Sequence, residues 1–249
     1  DVKALELASG RDLWRASTGL TLSGGPGAGE GLVVAGASSG DLVAIDAQTG
    51  TERWRAAVGG EVLAAPVVSG GLVIVRTVDG RLRALRTGDG TEAWNYEQQV
   101  PRLTLRGNGA PVISGDMIIA GFDNGKVIAL SLATGELLWT ATVTPPHGRT
   151  ELERLVDIDS PVRVAEQDVF VVGYQGRVAM LALDSGQIWW GRDLSSHRGL
   201  VADDAYLYVT TADSVVVALR RRDGTEVWRQ DQLLRRSITA PALVGDTLV

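Results

Sequence analysis

Short apolar stretches separated by glycine-rich turns run along the chain. From Ala65 to Trp94 the sequence reads as four strands, APVVSG, GLVIVRT, GRLRALR and TEAWNY. Val, Ile and Leu fill successive positions of the middle stretches, so both faces of those strands must be buried. Asp89 and Gly90 supply the tight turn before the last strand, because glycine accepts the positive φ that a hairpin needs. The pattern therefore predicts short antiparallel strands rather than helices.

The same unit recurs, each time with a glycine followed four residues later by a tryptophan. The pairs are Gly10/Trp14, Gly50/Trp54, Gly90/Trp94, Gly135/Trp139, Gly186/Trp190 and Gly224/Trp228. The remaining tryptophan, Trp189, is the neighbour of one of them. A period of about 40 residues that contains strands is typical of a β-propeller. We expect an all-β fold, a β-propeller of four-stranded antiparallel blades, in which each indole fills the gap between neighbouring blades.

The repeat runs through residues 1–249, which we predict to be a single β-propeller domain. The chain opens inside a repeat unit, and its last residues, PALVGDTLV, match the start of earlier units such as APVVSGGLV. We therefore expect a fragment of a longer protein, truncated at both ends. This fragment would hold about six blades.

Two successive units are longer than the others. The repeat tryptophans are 40 residues apart from Trp14 to Trp94, but the next two intervals are 45 and 51 residues. The extra residues follow the tryptophan strand and precede the next first strand, at 95–109 and 140–160. Because equivalent connections of a propeller emerge on one face, we expect the two inserts side by side. Loops carry function more often than scaffolds do, so this face is the predicted binding surface.

The first insert contains the run PRLTLRG, in which apolar and polar residues alternate. In an extended segment Leu103 and Leu105 lie on one side, and Arg106 lies on the other. Exposed leucines beside an arginine are good anchors for a protein partner. The alternative is that both leucines enter the core as a first strand.

The second insert contains ERLVDIDSP, in which Asp157 and Asp159 are predicted to share one side of a strand, with Ile158 opposite. Paired carboxylates fit a metal site, a catalytic pair or a charge patch, and an exposed ion pair with Arg106 is a further possibility. A metal needs more converging oxygen ligands than these. The sequence alone leaves the choice open.

Composition narrows the class of protein. Apolar residues make up 45% of the chain and charged residues 22%, which fits a large core. The net charge of −6 disfavours nucleic acid as a partner, since phosphate binding requires a basic face. Without cysteines the chain has no disulfides and no cysteine metal sites. No apolar run reaches the length of a membrane-spanning helix.

Catalytic patterns are absent from the sequence: it contains no HExxH, GxSxG or phosphate-loop motif. His147 and His197 lie far apart and are interpreted as surface loop residues. The glycine-rich run from Gly24 to Gly31 lacks the Lys and Ser/Thr of a phosphate loop and is interpreted as a flexible connection. Four aspartates are assigned to hydrogen bonding within turns, namely Asp46, Asp89, Asp184 and Asp223. We therefore expect no enzyme, no cofactor and no metal.

The repeat, A-L-D-x-x-S/T-G-x-x-x-W, resembles that of quinoprotein-type propellers, which include dehydrogenases using pyrroloquinoline quinone and non-enzymatic relatives. The segments LTLRGNGAPV, TELERLVDIDSPV and YQGRVAMLALDSGQIWW are similar to the BamB family of outer-membrane protein assembly lipoproteins. This resemblance implies an eight-bladed propeller in the full protein. It also implies a lipid anchor that holds the protein at the periplasmic face of the Gram-negative outer membrane.

The resemblance further implies a non-enzymatic scaffold of the β-barrel assembly (BAM) machinery. Its partners would be the POTRA domains of BamA, other BAM complex members and nascent outer-membrane β-barrel proteins. The family's BamA-binding residues match Leu103, Leu105, Arg106, Asp157 and Asp159. One alternative is a quinone-dependent dehydrogenase, which needs a paired-cysteine motif and a calcium site that the sequence does not show. Another is a propeller scaffold with a different partner.

Overall fold

The computed structural model describes residues 1–249 apart from 102, 105–108, 147–148, 151, 154, 159 and 246. Its regular structure is built from β-strands. No helix long and apolar enough to cross a membrane occurs in the described part of the chain. These residues form two compact units, one of Asp1–Gln98 with Leu132–Glu136, the other of Gln99–Ser131 with Leu137–Val249.

The first unit contains a two-stranded ribbon and two four-stranded antiparallel sheets. The ribbon pairs β1 (Val2–Leu5) with β2 (Asp12–Ala16). The sheets are β3 (Gly27–Gly29), β4 (Leu32–Gly36), β5 (Asp41–Asp46) and β6 (Glu52–Ala57), followed by β7 (Val67–Ser69), β8 (Leu72–Arg76), β9 (Arg81–Arg86) and β10 (Glu92–Glu97). Strands pair in chain order, so the last strand of each sheet forms one edge. The four strands predicted between Ala65 and Trp94 are confirmed.

The second unit continues the pattern with three four-stranded sheets and a final ribbon. The first of these sheets contains β11 (Val112–Ser114), β12 (Met117–Gly121), β13 (Lys126–Ser131) and β14 (Leu137–Thr142), and the second contains β15 (Arg163–Ala165), β16 (Asp168–Val172), β17 (Arg177–Ala182) and β18 (Ile188–Asp193). The third contains β19 (Gly199–Ala202), β20 (Tyr206–Thr210), β21 (Val216–Arg220) and β22 (Glu226–Gln230). The ribbon pairs β23 (Leu243–Val244) with β24 (Thr247–Leu248). Again, each sheet is a meander with its strands in chain order.

The core of each unit lies between adjacent sheets. In the first unit Val34 of β4 and Val73 of β8 belong to one buried cluster. In the second unit Ile119 of β12 shares a cluster with Val169 of β16, and Val178 of β17 shares another with Val209 of β20. Because a middle strand is covered on both faces, it carries apolar residues at successive positions, as the sequence predicts.

The repeat tryptophans join each sheet to the next. The indole N–H of Trp54 in β6 donates to the Thr87 carbonyl of the following sheet at 2.8 Å. Gly90 has a φ of 73°, and a Cβ there would stand 2.6 Å from the Trp54 ring. The same donor–carbonyl pairs occur at Trp14/Ala47, Trp94/Leu132, Trp139/Leu183 and Trp190/Arg221. The predicted gap-filling role of the indole is confirmed, and the repeat glycine is the residue that makes room for it.

The prediction of a flexible connection from Gly24 to Gly31 is wrong. Gly27–Gly29 forms strand β3, which pairs with β4. A Cβ at Gly27 would stand 1.7 Å from the Pro66 carbonyl oxygen, next to β7. Glycine is therefore required because two first strands approach closely here.

Candidate functional site

The long connections lie where the tryptophan spacing places them. The first long connection, residues 98–111, joins β10 to β11, and the second, residues 143–162, joins β14 to β15. The equivalent connection between β6 and β7 spans only residues 58–66. The extra residues therefore interrupt no sheet.

The start of the second long connection is fixed by backbone contacts. The N–H groups of Val143 and Thr144 donate to the Gly125 carbonyl at 2.9 and 3.2 Å. The Thr144 hydroxyl oxygen accepts the N–H of Arg177 at 3.2 Å, which ties the connection to the following sheet. Gly125 has a φ of 72°, and a Cβ there would stand 1.9 Å from the Thr144 carbonyl oxygen. A larger residue at this position would displace the connection.

The end of the second long connection is fixed between two turns. Ile158 N–H donates to the Phe122 carbonyl at 3.3 Å, and the Asp157 carbonyl accepts the N–H of Tyr174 at 2.7 Å. Asp157 and Ile158 are each 1% exposed although they are consecutive. Asp157 is therefore not an exposed residue. The predicted strand is reduced to a single β-bridge between Asp157 and Tyr174. That Asp157 and Asp159 share one side stays a prediction, and so does the pairing with Arg106, because Arg106 and Asp159 lie outside the described residues.

A polar turn lies between these two fixed ends. The Glu153 carboxylate accepts the N–H groups of Arg149 at 2.7 Å and Thr150 at 3.1 Å, and the Thr150 hydroxyl oxygen accepts the N–H of Glu153. These bonds, that from Arg149 first, hold the pKa of the Glu153 carboxyl below its usual value. This reciprocal turn leaves Leu152 65% exposed. Sequence reasoning missed Leu152, although a lone leucine inside the charged run ELER was a usable signal.

The first long connection presents an exposed leucine. Leu103 is 42% exposed and lies outside the strands, since β11 begins only at Val112. For Leu103 the alternative of a core first strand is therefore wrong. Leu105 and Arg106 lie outside the described residues. A Cβ at Gly109 would stand 2.6 Å from the Ser160 carbonyl oxygen, so the two long connections meet at their final residues.

An aromatic pair lies beside the second long connection. The rings of Tyr174 and His197 stand edge to face, with centroids 5.9 Å apart. His197 lies in the loop between β18 and β19, as predicted, and is half-buried; His147 lies outside the described residues. Burial, followed by the charge of Arg198, lowers the pKa of the His197 imidazole. In the described part of the chain no group of three or more His, Asp or Glu side chains could hold a metal ion.

The arrangement suits recognition of a protein. Exposed apolar side chains lie at Leu103 and Leu152, on connections whose ends are hydrogen-bonded to the scaffold or packed against one another. Apolar anchors on a fixed base lose little conformational entropy when a partner covers them.

Most of the chain matches the model of one known protein family. The family model for the outer membrane protein assembly factor BamB matches residues 1–230. The chain is 42% identical over 150 residues to BamB of Alkalilimnicola ehrlichii, covering 60% of this chain and 39% of that protein. It is 40% identical over 153 residues to BamB of Pseudomonas aeruginosa, covering 61% of this chain and 40% of that protein. The matched region thus spans well under two thirds of these curated relatives.

The solved structures of similar shape include BamB from Moraxella catarrhalis, with a TM-score of 0.92 and 29% identity over 96% of this chain and 73% of that one. Quinohemoprotein alcohol dehydrogenase from Comamonas testosteroni has a TM-score of 0.69 at 19% identity, over 85% of this chain and 43% of that one, a likeness of fold alone. The fold is an all-β propeller of four-stranded antiparallel blades, as the repeat predicts. By the match over residues 1–230, the chain belongs to the BamB family of outer membrane protein assembly factors.

Proposed function

We propose that the chain is a non-enzymatic scaffold of the outer-membrane β-barrel assembly machinery. It docks the POTRA domains of BamA through its two long connections. The observation that carries this proposal is the exposure of Leu103 and Leu152 on connections whose ends are hydrogen-bonded to the scaffold or packed against one another. Membership of the BamB family supports a setting in outer membrane protein assembly, which we place at the periplasmic face of the outer membrane.

Each proposed contact residue has a distinct task. Leu103 and Leu105 are the apolar anchors, since buried apolar side chains at the centre of an interface carry most of its affinity. Arg106 and Asp159 set orientation and association rate, because charges at the rim steer encounter more than they add affinity. Asp157 is a positioning residue. It is buried, and its carbonyl holds the Tyr174 turn against the second long connection.

The mechanism follows from the rigidity of the base. A partner domain that covers both connections is held in one orientation, because the two connections meet at Gly109 and Ser160. With BamA oriented in this way, the scaffold assists folding and insertion of outer-membrane β-barrel proteins alongside the other BAM complex members.

The test is a pull-down of purified BamA POTRA domains with the chain carrying Leu103→Ala, Leu105→Ala and Arg106→Ala together. We expect capture to fall by roughly tenfold or more, since anchors of this kind contribute about 1–3 kcal/mol each. Leu152→Ala is expected to weaken capture by a smaller factor, which would extend the interface to the polar turn.

The matched control is Leu138→Ala, a leucine that is 51% exposed on β14 and so loses a comparable surface side chain. We expect this variant to bind BamA like the unmodified chain. Thermal unfolding of every variant shows whether it is folded. Undiminished capture of BamA by a folded triple variant would contradict the proposal.

A further inference from the structure

The β18–β19 connection, residues 194–198, is held rigidly between two sheets. Ser196 N–H donates to the Gly173 carbonyl at 3.0 Å, and the Ser196 hydroxyl donates to the Thr210 carbonyl at 2.5 Å. The same hydroxyl oxygen accepts the N–H of Arg198 at 3.0 Å. Because Ser196 is 1% exposed, water does not compete for these bonds. The side chains that this connection carries therefore have a fixed base.

The β18–β19 connection touches the end of the second long connection. A Cβ on Gly199, the first residue of β19, would stand 3.4 Å from the Ser160 Cβ. The His197 ring packs edge to face on Tyr174, whose N–H donates to the Asp157 carbonyl at 2.7 Å. The β18–β19 connection therefore lies beside the surface that we propose for BamA docking.

His197 and Arg198 carry side-chain nitrogens that lack hydrogen-bond partners. His197 Nδ1 and Arg198 Nε are both buried, and neither has a partner among the described residues. Within that part of the chain the Arg198 guanidinium also forms no ion pair. Two influences act on the pKa of the His197 imidazole, burial first and then the charge of Arg198, and both lower it. The described residues thus provide no carboxylate that offsets the positive field at this point.

A second arginine of the same unit shows how a buried guanidinium is satisfied in this protein. Arg221, whose side chain is 11% exposed, lies 3.3 Å from the Asp168 carboxylate and donates to the Asp203 carbonyl at 3.1 Å. The side chain of Arg198 has neither kind of acceptor in the part of the chain that the structure describes. A guanidinium that has lost part of its hydration is best satisfied by a carboxylate, which accepts two of its N–H groups at once. A carboxylate is therefore the ligand that suits Arg198 and His197.

We propose that Arg198 and His197 bind a carboxylate side chain of BamA at the edge of the surface formed by the two long connections. This proposal rests on the proposed function, since BamA reaches the β18–β19 connection by covering the second long connection. The Arg198 guanidinium forms the ion pair, and the His197 ring, packed on Tyr174, supplies a second polar contact. An ion pair at the rim of an interface orients the partner and speeds association more than it adds affinity.

The first test compares the affinity of purified BamA POTRA domains for Arg198→Gln and for a matched control, Arg222→Gln. The Arg222 side chain is 81% exposed in the turn between β21 and β22, at the opposite end of that sheet. We expect binding to weaken by roughly threefold to tenfold in Arg198→Gln and to stay unchanged in the control. The loss should shrink at high salt, because screening weakens an exposed ion pair. Undiminished binding by a folded Arg198→Gln variant would overturn the proposal.

Imidazole NMR gives a measurement that a merely structural role of His197 would not change. The chain has two histidines, and the signal missing from His197→Phe identifies His197. We expect His197→Phe to fold, because phenylalanine keeps an aromatic ring beside Tyr174. In the unmodified chain we expect the pKa of His197 to rise when BamA binds, since a nearby carboxylate favours the imidazolium form. A pKa that does not change on binding would contradict the proposal.

Titration with sodium acetate tests the carboxylate site without BamA. We expect acetate to shift the His197 signals more than sodium chloride does at the same concentration, and Arg198→Gln to reduce that shift. A larger shift with phosphate than with acetate would overturn the proposal. So would acetate binding together with unchanged BamA affinity in Arg198→Gln, since the site would then take a free anion only. If the unmodified chain did not bind BamA, the proposed function would fail, and the acetate titration would still show whether the carboxylate site exists.

Discussion

The connection between β6 and β7 and the longer one between β14 and β15 are held by the same two backbone bonds. In the short connection, Val58 N–H donates to the Gly40 carbonyl at 2.7 Å and Val62 N–H donates to the Ala37 carbonyl at 3.3 Å. Only three residues lie between Val58 and Val62.

In the long connection the same bonds are made by Val143 and Ile158, at 2.9 and 3.3 Å, with fourteen residues between them. The position before the second bond also matches, since the carbonyls of Glu61 and Asp157 each accept an N–H from the next sheet. The scaffold thus admits a long insertion without altering its own hydrogen bonds. The two connections therefore differ in their inserted residues and not in how their ends are held.

The largest expected effect is on stability, and it tests whether the repeat tryptophan joins neighbouring sheets. Trp139→Ala removes a 7% exposed indole together with its bond to Leu183, and we expect a loss of about 3–5 kcal/mol in the free energy of unfolding. Trp189→Ala, at the neighbouring slot in the next sheet, removes a 56% exposed ring and is expected to cost under about 0.5 kcal/mol. Urea unfolding measures both. Equal losses would show that the indole slot is not what joins the sheets.

A smaller effect is expected where the insertion meets the scaffold. Asp157→Ala removes a buried carboxylate, and we expect a loss of about 1–3 kcal/mol in the free energy of unfolding. Leu152→Ala lies within the insertion and should leave stability unchanged to within about 0.5 kcal/mol. Thermal unfolding distinguishes them. If Asp157→Ala melts like the unmodified chain, the backbone carbonyl of Asp157 positions the second long connection and its carboxylate does not.

The smallest effect is a pH dependence in a repeated turn. Asp46 accepts hydrogen bonds from Arg53, its largest influence, and from Thr49, which lower the pKa of its carboxyl from 3.8 to about 2. Because the folded pKa is depressed, this contribution to stability is complete above pH 3.8 and is lost as the pH falls through about 2.

We therefore expect the difference in melting temperature between the unmodified chain and Asp46→Asn to shrink as the pH falls through that range. A difference that stays constant would assign the effect to something other than ionisation of Asp46.

Much of the fold could be predicted because several independent features of the sequence indicate the same structure. The glycine–tryptophan slot, the turn aspartates and the apolar middle strands all predict the same four-stranded unit. Asp46, Asp89 and Asp223 accept the backbone hydrogen bonds that this interpretation requires. What the repeat could not show was the acceptor of each indole N–H. The acceptor lies 33 residues away from Trp54, in the turn of another sheet.

The predictions that were wrong failed because packing against neighbouring strands and turns decided the structure at those positions. Gly27–Gly29 forms a strand although glycine has a low strand propensity, because the space beside Pro66 admits no side chain. Asp157 and Ile158 are both buried, because turns cover the connection on two sides. Packing between sheets decides these positions, and a single sequence does not display it.

The most direct test of the account exchanges one connection for the other. The fourteen residues between Val143 and Ile158 are replaced by Gly59, Gly60 and Glu61, which join the same two bonds in the β6–β7 connection. Binding of BamA POTRA domains is then measured with thermal unfolding as the check on folding. We predict that the exchange variant still unfolds in one cooperative transition and that its binding to BamA is weaker by roughly tenfold or more. A folded exchange variant that binds BamA as tightly as the unmodified chain would contradict the account.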